Sequence, residues 1–193
     1  MADLQVPVMS YKETVESMYE AMRKALALKL QKDYQAALSV MNDFLSQNMD
    51  SEQRSEALGF RADLKEEVGQ YEEAAKDYLA ALSLSQAESY AQYTIELSLG
   101  SISEKLGIRD EALSWYQKAL LTCAKGVGIA GGAALKIFLE LKGENRITEE
   151  EKALCNQVVE KSWALLRIPG EPDLSNLKAV SETLIHWAGK PRT

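Results

Sequence analysis

The chain has 193 residues, of which 46% are hydrophobic and 26% charged, and its formal net charge is −7. This composition is typical of a folded globular protein and excludes a largely disordered chain. Residues 1–10 lack a basic stretch followed by an apolar one, and no apolar run reaches about 18 residues, so we expect neither a signal peptide nor a membrane span.

The acidic residues are concentrated in the middle of the sequence. Residues 51–107 carry eleven acids and five bases, whereas 1–50 carry seven and five, and 108–193 carry eleven and twelve. An acidic centre argues against a nucleic-acid partner, whose binding depends on Lys and Arg that neutralise phosphates. It favours a basic partner if charge is used in binding; a solvated helical surface is the simpler interpretation.

Helical periodicity runs through almost the whole chain, because apolar residues recur at spacings of three and four and strict alternation is absent. In chain order, the predicted helices lie near 11–30, 33–48, 51–68, 71–84, 86–106, 109–124, 128–142, 149–166 and 174–188. Capping residues three positions apart are expected to begin four of them: Ser10 with Glu13, Asp50 with Gln53, Ser85 with Glu88, and Thr148 with Glu151.

Most of the predicted connections are short, and short connections between long helices favour helical hairpins. We expect hairpins over 10–50, 51–84 and 85–124, a diverged hairpin over 125–168 and a capping helix over 173–189. The last helix carries apolar residues on one face that would cover the final hairpin, as terminal caps do in solenoids: Leu177, Val180, Leu184, Trp187 and Ala188.

A pattern of small, aromatic and alanine positions recurs about every 37 residues, which marks stacked structural units. The clearest copy is Ala62, Gly69, Tyr71, Ala74, Tyr78 and Ala81. The next copy is Gly100, Gly107, Arg109, Ala112, Tyr116 and Ala119. A weaker first copy is Ala25, Lys32, Tyr34, Ala37, Met41 and Phe44.

At Gly69–Ala74 and Asp110–Leu120 the chain resembles the tetratricopeptide repeat family. The resemblance is good over roughly 55–122, fair over 15–50 and poor beyond 125, and its period exceeds the family norm of about 34 residues. It implies an all-α fold: one domain over 1–193, forming a right-handed superhelix of about four antiparallel helical hairpins with a C-terminal capping helix.

The resemblance also implies a concave groove, lined by the first helix of each hairpin, that binds peptides or partner proteins. By position, the groove residues would be Tyr19, Met22, Leu26, Lys29, Glu56, Asp63, Glu66, Glu67, Thr94, Leu97, Ser101 and Glu104. These residues are apolar at one end and acidic in the middle, which favours a basic segment or helix. Some family members grip a C-terminal carboxylate through Lys and Asn, a role that the residues here do not favour.

The favoured function is a non-catalytic protein–protein interaction module in the cytoplasm: an adaptor, a chaperone or a regulator. One alternative is an inhibitor or immunity-type protein that neutralises a basic partner. Another is a small helical enzyme that uses carboxylates of the groove with a metal ion. The apolar stripe of the first hairpin is a candidate homodimer surface: Met18, Met22, Ala25 and Leu26.

Other candidate sites have simpler structural interpretations. Gly126–Gly131 matches the letters of a dinucleotide-binding loop, but a helix is predicted before it where that site needs a strand. Neighbouring acids such as Glu66 and Glu67 diverge around a helix and do not converge on a metal ion.

Three further expectations concern single histidine, cysteine and tryptophan residues. His186 is the chain's one histidine, Cys123 and Cys155 lack metal-binding spacing and suit a reducing compartment, and Trp163 and Trp187 are expected in the core. We therefore expect no cofactor, no metal and no membrane partner.

Overall fold

The structure is a computed structural model that describes residues 11–127 and 131–190. The helices in these ranges are α1 Tyr11–Leu30, α2 Tyr34–Leu45, α3 Ser51–Glu67, α4 Tyr71–Leu84, α5 Tyr90–Lys105, α6 Arg109–Thr122, α7 Gly131–Lys142, α8 Glu149–Leu166 and α9 Leu177–Ala188. A π-helical segment, Cys123–Val127, continues α6, and a single 3-10 turn, Glu144–Arg146, precedes α8. Over the described ranges no strand occurs. None of the helices described is both long enough and apolar enough to cross a bilayer.

The chain divides into two compact units, Met1–Ser85 and Gln86–Thr193. In the first unit α1 packs on α2, α3 packs on α4, and α2 also contacts α3. In the second unit α5 packs on α6, α7 contacts both α6 and α8, and α9 lies on α7 and α8. The predicted class, helical hairpins with a C-terminal helix on the last one, is confirmed; the single domain over 1–193 stays a prediction.

The turns inside the first three hairpins have the same geometry. Gly69 and Gly107 have φ values of 77° and 76°, and Lys32, at the equivalent position of the first hairpin, has a φ of 62°. In each turn the amide of the next residue donates to a carbonyl five positions earlier, at 2.8–2.9 Å. This left-handed helix end explains why glycine occupies two of the three positions. Lys32 adopts the same conformation with a side chain, so the weak first copy of the repeat is a structural repeat.

Most motif residues of the repeat are buried between helices. Those with no exposed surface are Ala25, Ala37, Met41, Ala62, Ala74, Ala81, Ala112 and Ala119. Tyr78 and Tyr116 are 2% exposed. Packing at this density leaves no room for an added methyl group.

Gly100 gives the clearest case of close packing and leads to a testable prediction. A Cβ atom at Gly100 would lie 2.5 Å from Cε1 of the Tyr116 ring, so this ring, which is 2% exposed, would have to shift within the core. We expect Gly100→Ala to lower the free energy of unfolding by about 2 kcal/mol, as overpacking does in other cores. Because all three tryptophans lie in the second unit, urea unfolding followed by tryptophan fluorescence would measure this loss.

Gly59 provides the matched control. It lies inside α3, and an added Cβ would meet nothing within 4 Å. Gly59→Ala should therefore raise stability by up to about 1 kcal/mol through helix propensity, measured by circular dichroism. Equal effects of the two substitutions would contradict the close approach at Gly100.

The predicted helix starts are mostly correct. Thr148 and Glu151 form a reciprocal capping box, and Asp50 accepts a hydrogen bond from the amide of Gln53. The start at Ser85 with Glu88 is wrong: Ser85 ends α4, and the chain turns through Glu88, whose φ is 56°. Ser89 instead caps α5 by accepting from the amide of Gln92 at 3.1 Å, so two equivalent Ser-x-x-Glu/Gln signals lay four residues apart. Ser10 lies outside the described residues.

The hydrophobic core of the second unit contains residues from all of its helices, α5 to α9. Leu177, Val180 and Leu184 of α9 are buried in it, as predicted, but Ala188 is exposed. Trp163 and Trp187, which were expected in the core, pack against it and are partly buried. The indole N–H of Trp163 donates to the carbonyl of Gly170 at 2.9 Å, which satisfies the polar atom of this partly buried ring.

Candidate protein-binding surface

Helix α1 presents part of its apolar surface to solvent. Met18 and Ala25 are buried, at 3% and 0% exposure, and hold α1 in the first unit. Tyr19 and Leu26, adjacent to them around the helix, are 53% and 45% exposed, and Met22 is half-buried between them. Two of the four residues of the candidate homodimer stripe, Met18 and Ala25, are therefore buried within the first unit.

Helix α3 separates its charges by sign. Successive residues lie about 100° apart around a helix, so Glu56, Asp63 and Glu67 fall within about 40° of one another. Arg54, Arg61 and Lys65 fall on the opposite side of the same helix. The helix therefore has an acidic side and a basic side.

The basic side of α3 is bound internally. Arg61 makes two hydrogen bonds of 2.7 Å to the two carboxylate oxygens of Asp77 in α4, and Lys65 Nζ lies 2.7 Å from Asp77 Oδ2. The remaining terminal nitrogen of Arg61 donates to Asn42 Oδ1 in α2 at 2.8 Å. Arg54 lies 3.5 Å from carbonyl oxygens at the end of α2. These cations hold the second hairpin together and connect it to the first.

The acidic side of α3 faces α1 and solvent. The hydroxyl of Tyr78 in α4 donates to Asp63 and, at 3.3 Å, to Glu66. From α1, Lys29 Nζ lies 2.9 Å from Glu67 Oε1. Glu56, Asp63 and Glu67 are exposed, and Glu66 is half-buried.

The pKa values of two of these carboxyl groups, Asp63 and Glu56, are raised, so both groups ionise less readily than free carboxylic acids. Crowding by protein atoms around the Asp63 carboxyl raises its pKa, as do the charges of Glu66 and Glu67, while Tyr78 and Lys29 act in the opposite direction without cancelling the rise. Partial burial of its carboxyl group and the charge of Glu52 raise the pKa of Glu56, although the residue as a whole is exposed. Acidic groups that repel one another attract added positive charge.

We define the α1–α3 surface as Tyr19, Met22, Leu26, Lys29, Glu56, Asp63, Glu66 and Glu67. The eight residues were predicted as groove residues; all are at least partly exposed, and the Lys29–Glu67 ion pair shows that the two helices meet along this face. The surface combines exposed apolar groups on α1 with a row of carboxylates on α3.

The predicted groove residues of the second unit lie on α5. Tyr116 donates to Glu104 there, 38 residues after the equivalent pair Tyr78 and Glu66. Ser101 stands at the position of Asp63, and Thr94, Leu97 and Ser101 are all half-buried. The residues equivalent to Arg61 and Lys65 are Leu99 and Ser103, both buried, so α5 does not show the charge separation of α3.

The remaining candidate residues of the sequence are a glycine motif, two cysteines and one histidine. Gly126 follows a helix, as expected, while the middle of that glycine motif lies outside the described residues. Burial raises the pKa of both Cys123 and Cys155 to about 12, which keeps these thiols protonated near neutral pH. His186 is exposed. No group of three or more His, Cys, Asp or Glu in the described residues is arranged to hold a metal ion.

Sequence reasoning placed the acids of α3 but missed what holds its cations. Asp77 was not singled out, although it is 6% exposed and binds two cations. The signal was present: an acid at an inward position of α4 requires a partner, and the basic side of α3 supplies it.

Comparisons with known proteins agree with this architecture. Residues 55–88, which span most of α3 and α4, match the tetratricopeptide repeat family. BtubC (BKLC) from P. vanneervenii superposes with a TM-score of 0.61 at 19% identity, covering 93% of this chain and 83% of that chain. A putative kinesin light chain from Podosopora anserina with nearly identical TPR-like repeats superposes with a TM-score of 0.59 at 15% identity, covering 89% of this chain and 92% of that chain. A point-substituted form of that kinesin light chain gives 0.59 and 15%, covering 94% and 95%.

These likenesses establish the fold, and the resemblance of the sequence to tetratricopeptide repeats is confirmed. No curated protein shows significant sequence similarity to the chain. Tetratricopeptide repeats generally mediate protein–protein interactions and are generally non-catalytic.

Proposed function

We propose that this chain, which contains a tetratricopeptide repeat at residues 55–88, is a non-catalytic protein-binding module that engages its partner through the α1–α3 surface. The partner segment would carry apolar side chains for α1 and Lys or Arg side chains for α3. An adaptor, a chaperone, a regulator or an inhibitor of a basic protein could each use such a surface.

The separation of charge on α3 carries the proposal. The basic side chains are bound by Asp77, Asn42 and α2, whereas the carboxylates face outward in a row. A solvated helix would tolerate Lys and Glu mixed on its exposed face, which reduces repulsion. A row of carboxylates beside the exposed Tyr19 and Leu26 is electrostatically unfavourable unless a partner of opposite charge binds there.

A pair of synthetic peptides tests this function. One is an amphipathic helix with Leu on one face and Lys on the other, and its matched control has Gln at every Lys position. We expect the Lys peptide to bind at least about tenfold more tightly at low ionic strength, and the difference to shrink as salt screens exposed charges. Fluorescence anisotropy of labelled peptides measures both affinities. Equal affinities, or no binding of either peptide, would contradict the proposal.

A further inference from the structure

Lys29 lies at the junction of the apolar and the acidic parts of the α1–α3 surface. It is placed one helical turn after the exposed Leu26, and its ammonium group pairs with Glu67 at 2.9 Å. The ion pair is open to water, because the Lys29 side chain is 29% exposed and the Glu67 side chain 46% exposed. An exposed pair of this kind contributes little to stability and exchanges readily for another cation.

The effect of Lys29 extends beyond Glu67. Crowding and the charges of Glu66 and Glu67 raise the pKa of the Asp63 carboxyl, whereas the Lys29 charge and the hydroxyl of Tyr78 lower it. Lys29 thus neutralises part of the negative field that the acids of α3 generate. The cations of α3 itself, Arg61 and Lys65, are held by Asp77 on the opposite side.

We propose that Lys29 is a specificity-determining residue of this surface, occupying from within the chain the position that a Lys or Arg of the partner takes beside Glu67. The inference rests on the proposed function. A partner must displace this ammonium group to pair with Glu67, so Lys29 weakens binding of every cationic segment, and most of all of segments with few positive charges. Segments with several cations retain contacts with Glu56, Asp63 and Glu66, and bind in spite of it.

The test compares Lys29→Gln with Lys24→Gln. Lys24 is an exposed lysine of the same helix, so both substitutions remove one positive charge from α1. Lys24 lines a cavity between α1 and α2 of about 220 Å³, away from the acids of α3. We expect Lys29→Gln to tighten binding of the Lys peptide about threefold to fivefold, and Lys24→Gln to change the affinity less than twofold.

The outcomes separate this inference from the proposed function. If the wild-type chain does not bind the Lys peptide, both the function and the inference fall. If it binds, but Lys29→Gln binds no more tightly than Lys24→Gln, the role of Lys29 alone is wrong. A weaker complex with Lys29→Gln would also overturn it, since Lys29 would then contact the peptide favourably.

A measurement without peptide tests the electrostatic basis. Carboxyl-carbon NMR titration follows the ionisation of Asp63, which faces Lys29 from α1, Tyr78 from α4, and Glu66 and Glu67 of α3. Loss of the nearby ammonium group should raise the pKa of Asp63 further in Lys29→Gln and leave it unchanged in Lys24→Gln. An Asp63 titration identical in both variants would contradict the inference, because Lys29 would not then act on these acids.

Discussion

Replacing Asp77 with alanine is expected to lower the free energy of unfolding by about 3 kcal/mol, because removing one member of a buried ion pair leaves the other charges uncompensated. The Asp77 side chain is 8% exposed and those of Arg61 and Lys65 are 20% and 17% exposed, so the two cations have limited access to water. Urea unfolding followed by far-ultraviolet circular dichroism measures the loss.

Two further variants show whether the loss arises from unpaired charge. Glu73→Ala removes an exposed acid of the same helix, whose ion pair with Lys76 spans 3.9 Å, and should change stability by less than about 0.5 kcal/mol. Asp77→Ala combined with Arg61→Met and Lys65→Met removes the network altogether and should regain most of the stability, as apolar replacements of buried ion pairs do elsewhere. A triple variant as unstable as Asp77→Ala would mean that packing around Asp77, and not its charge, is what α4 requires.

Reversing two charges of the α1–α3 surface is expected to have the second large effect. Glu56→Lys and Glu67→Lys together place two ammonium groups where the Lys peptide should bind. Like charges in a contact cost several kcal/mol, so affinity should fall at least about 50-fold at low ionic strength. Both residues are exposed, and the structure gives neither a role in the core.

The matched control reverses two acids on other faces of the same unit. Glu20→Lys and Asp43→Lys produce the same change in net charge, and both residues line the cavity between α1 and α2. Because long-range attraction depends on total charge, this control should weaken binding modestly, by less than about fivefold. If both double variants lose affinity equally, the peptide responds to the overall charge of the chain and not to the α1–α3 surface.

The repeat in the sequence was sufficient to predict most of the fold. Gly69 and Gly107 mark the hairpin turns, and alanines such as Ala74 and Ala112 mark helix contacts, because a left-handed turn and a close approach each admit few residue types. Lys32 was harder to interpret, since it adopts the same turn conformation without being glycine. The start of α5 was missed because Ser85 and Ser89 offer equivalent capping signals, and only packing selects between them.

The candidate surface was predictable in position but not in its organisation. Helical spacing alone places Glu56, Asp63 and Glu67 on one face of α3. It does not show that Asp77 binds the cations of that helix, because this contact joins two helices and depends on how they pack. For the same reason, the exposed Leu26 and the half-buried Met22 of the α1 stripe could not be distinguished from its buried members, Met18 and Ala25.

Binding of the partner at the α1–α3 surface is tested most directly by a methionine-methyl NMR titration. Met22 is half-buried on this surface, whereas Met41 has no exposed area. On addition of the Lys peptide, the methyl resonance of Met22 should shift until it saturates, at the affinity measured by anisotropy, while that of Met41 stays in place. Saturating binding of the peptide with an unmoved Met22 resonance would contradict the account.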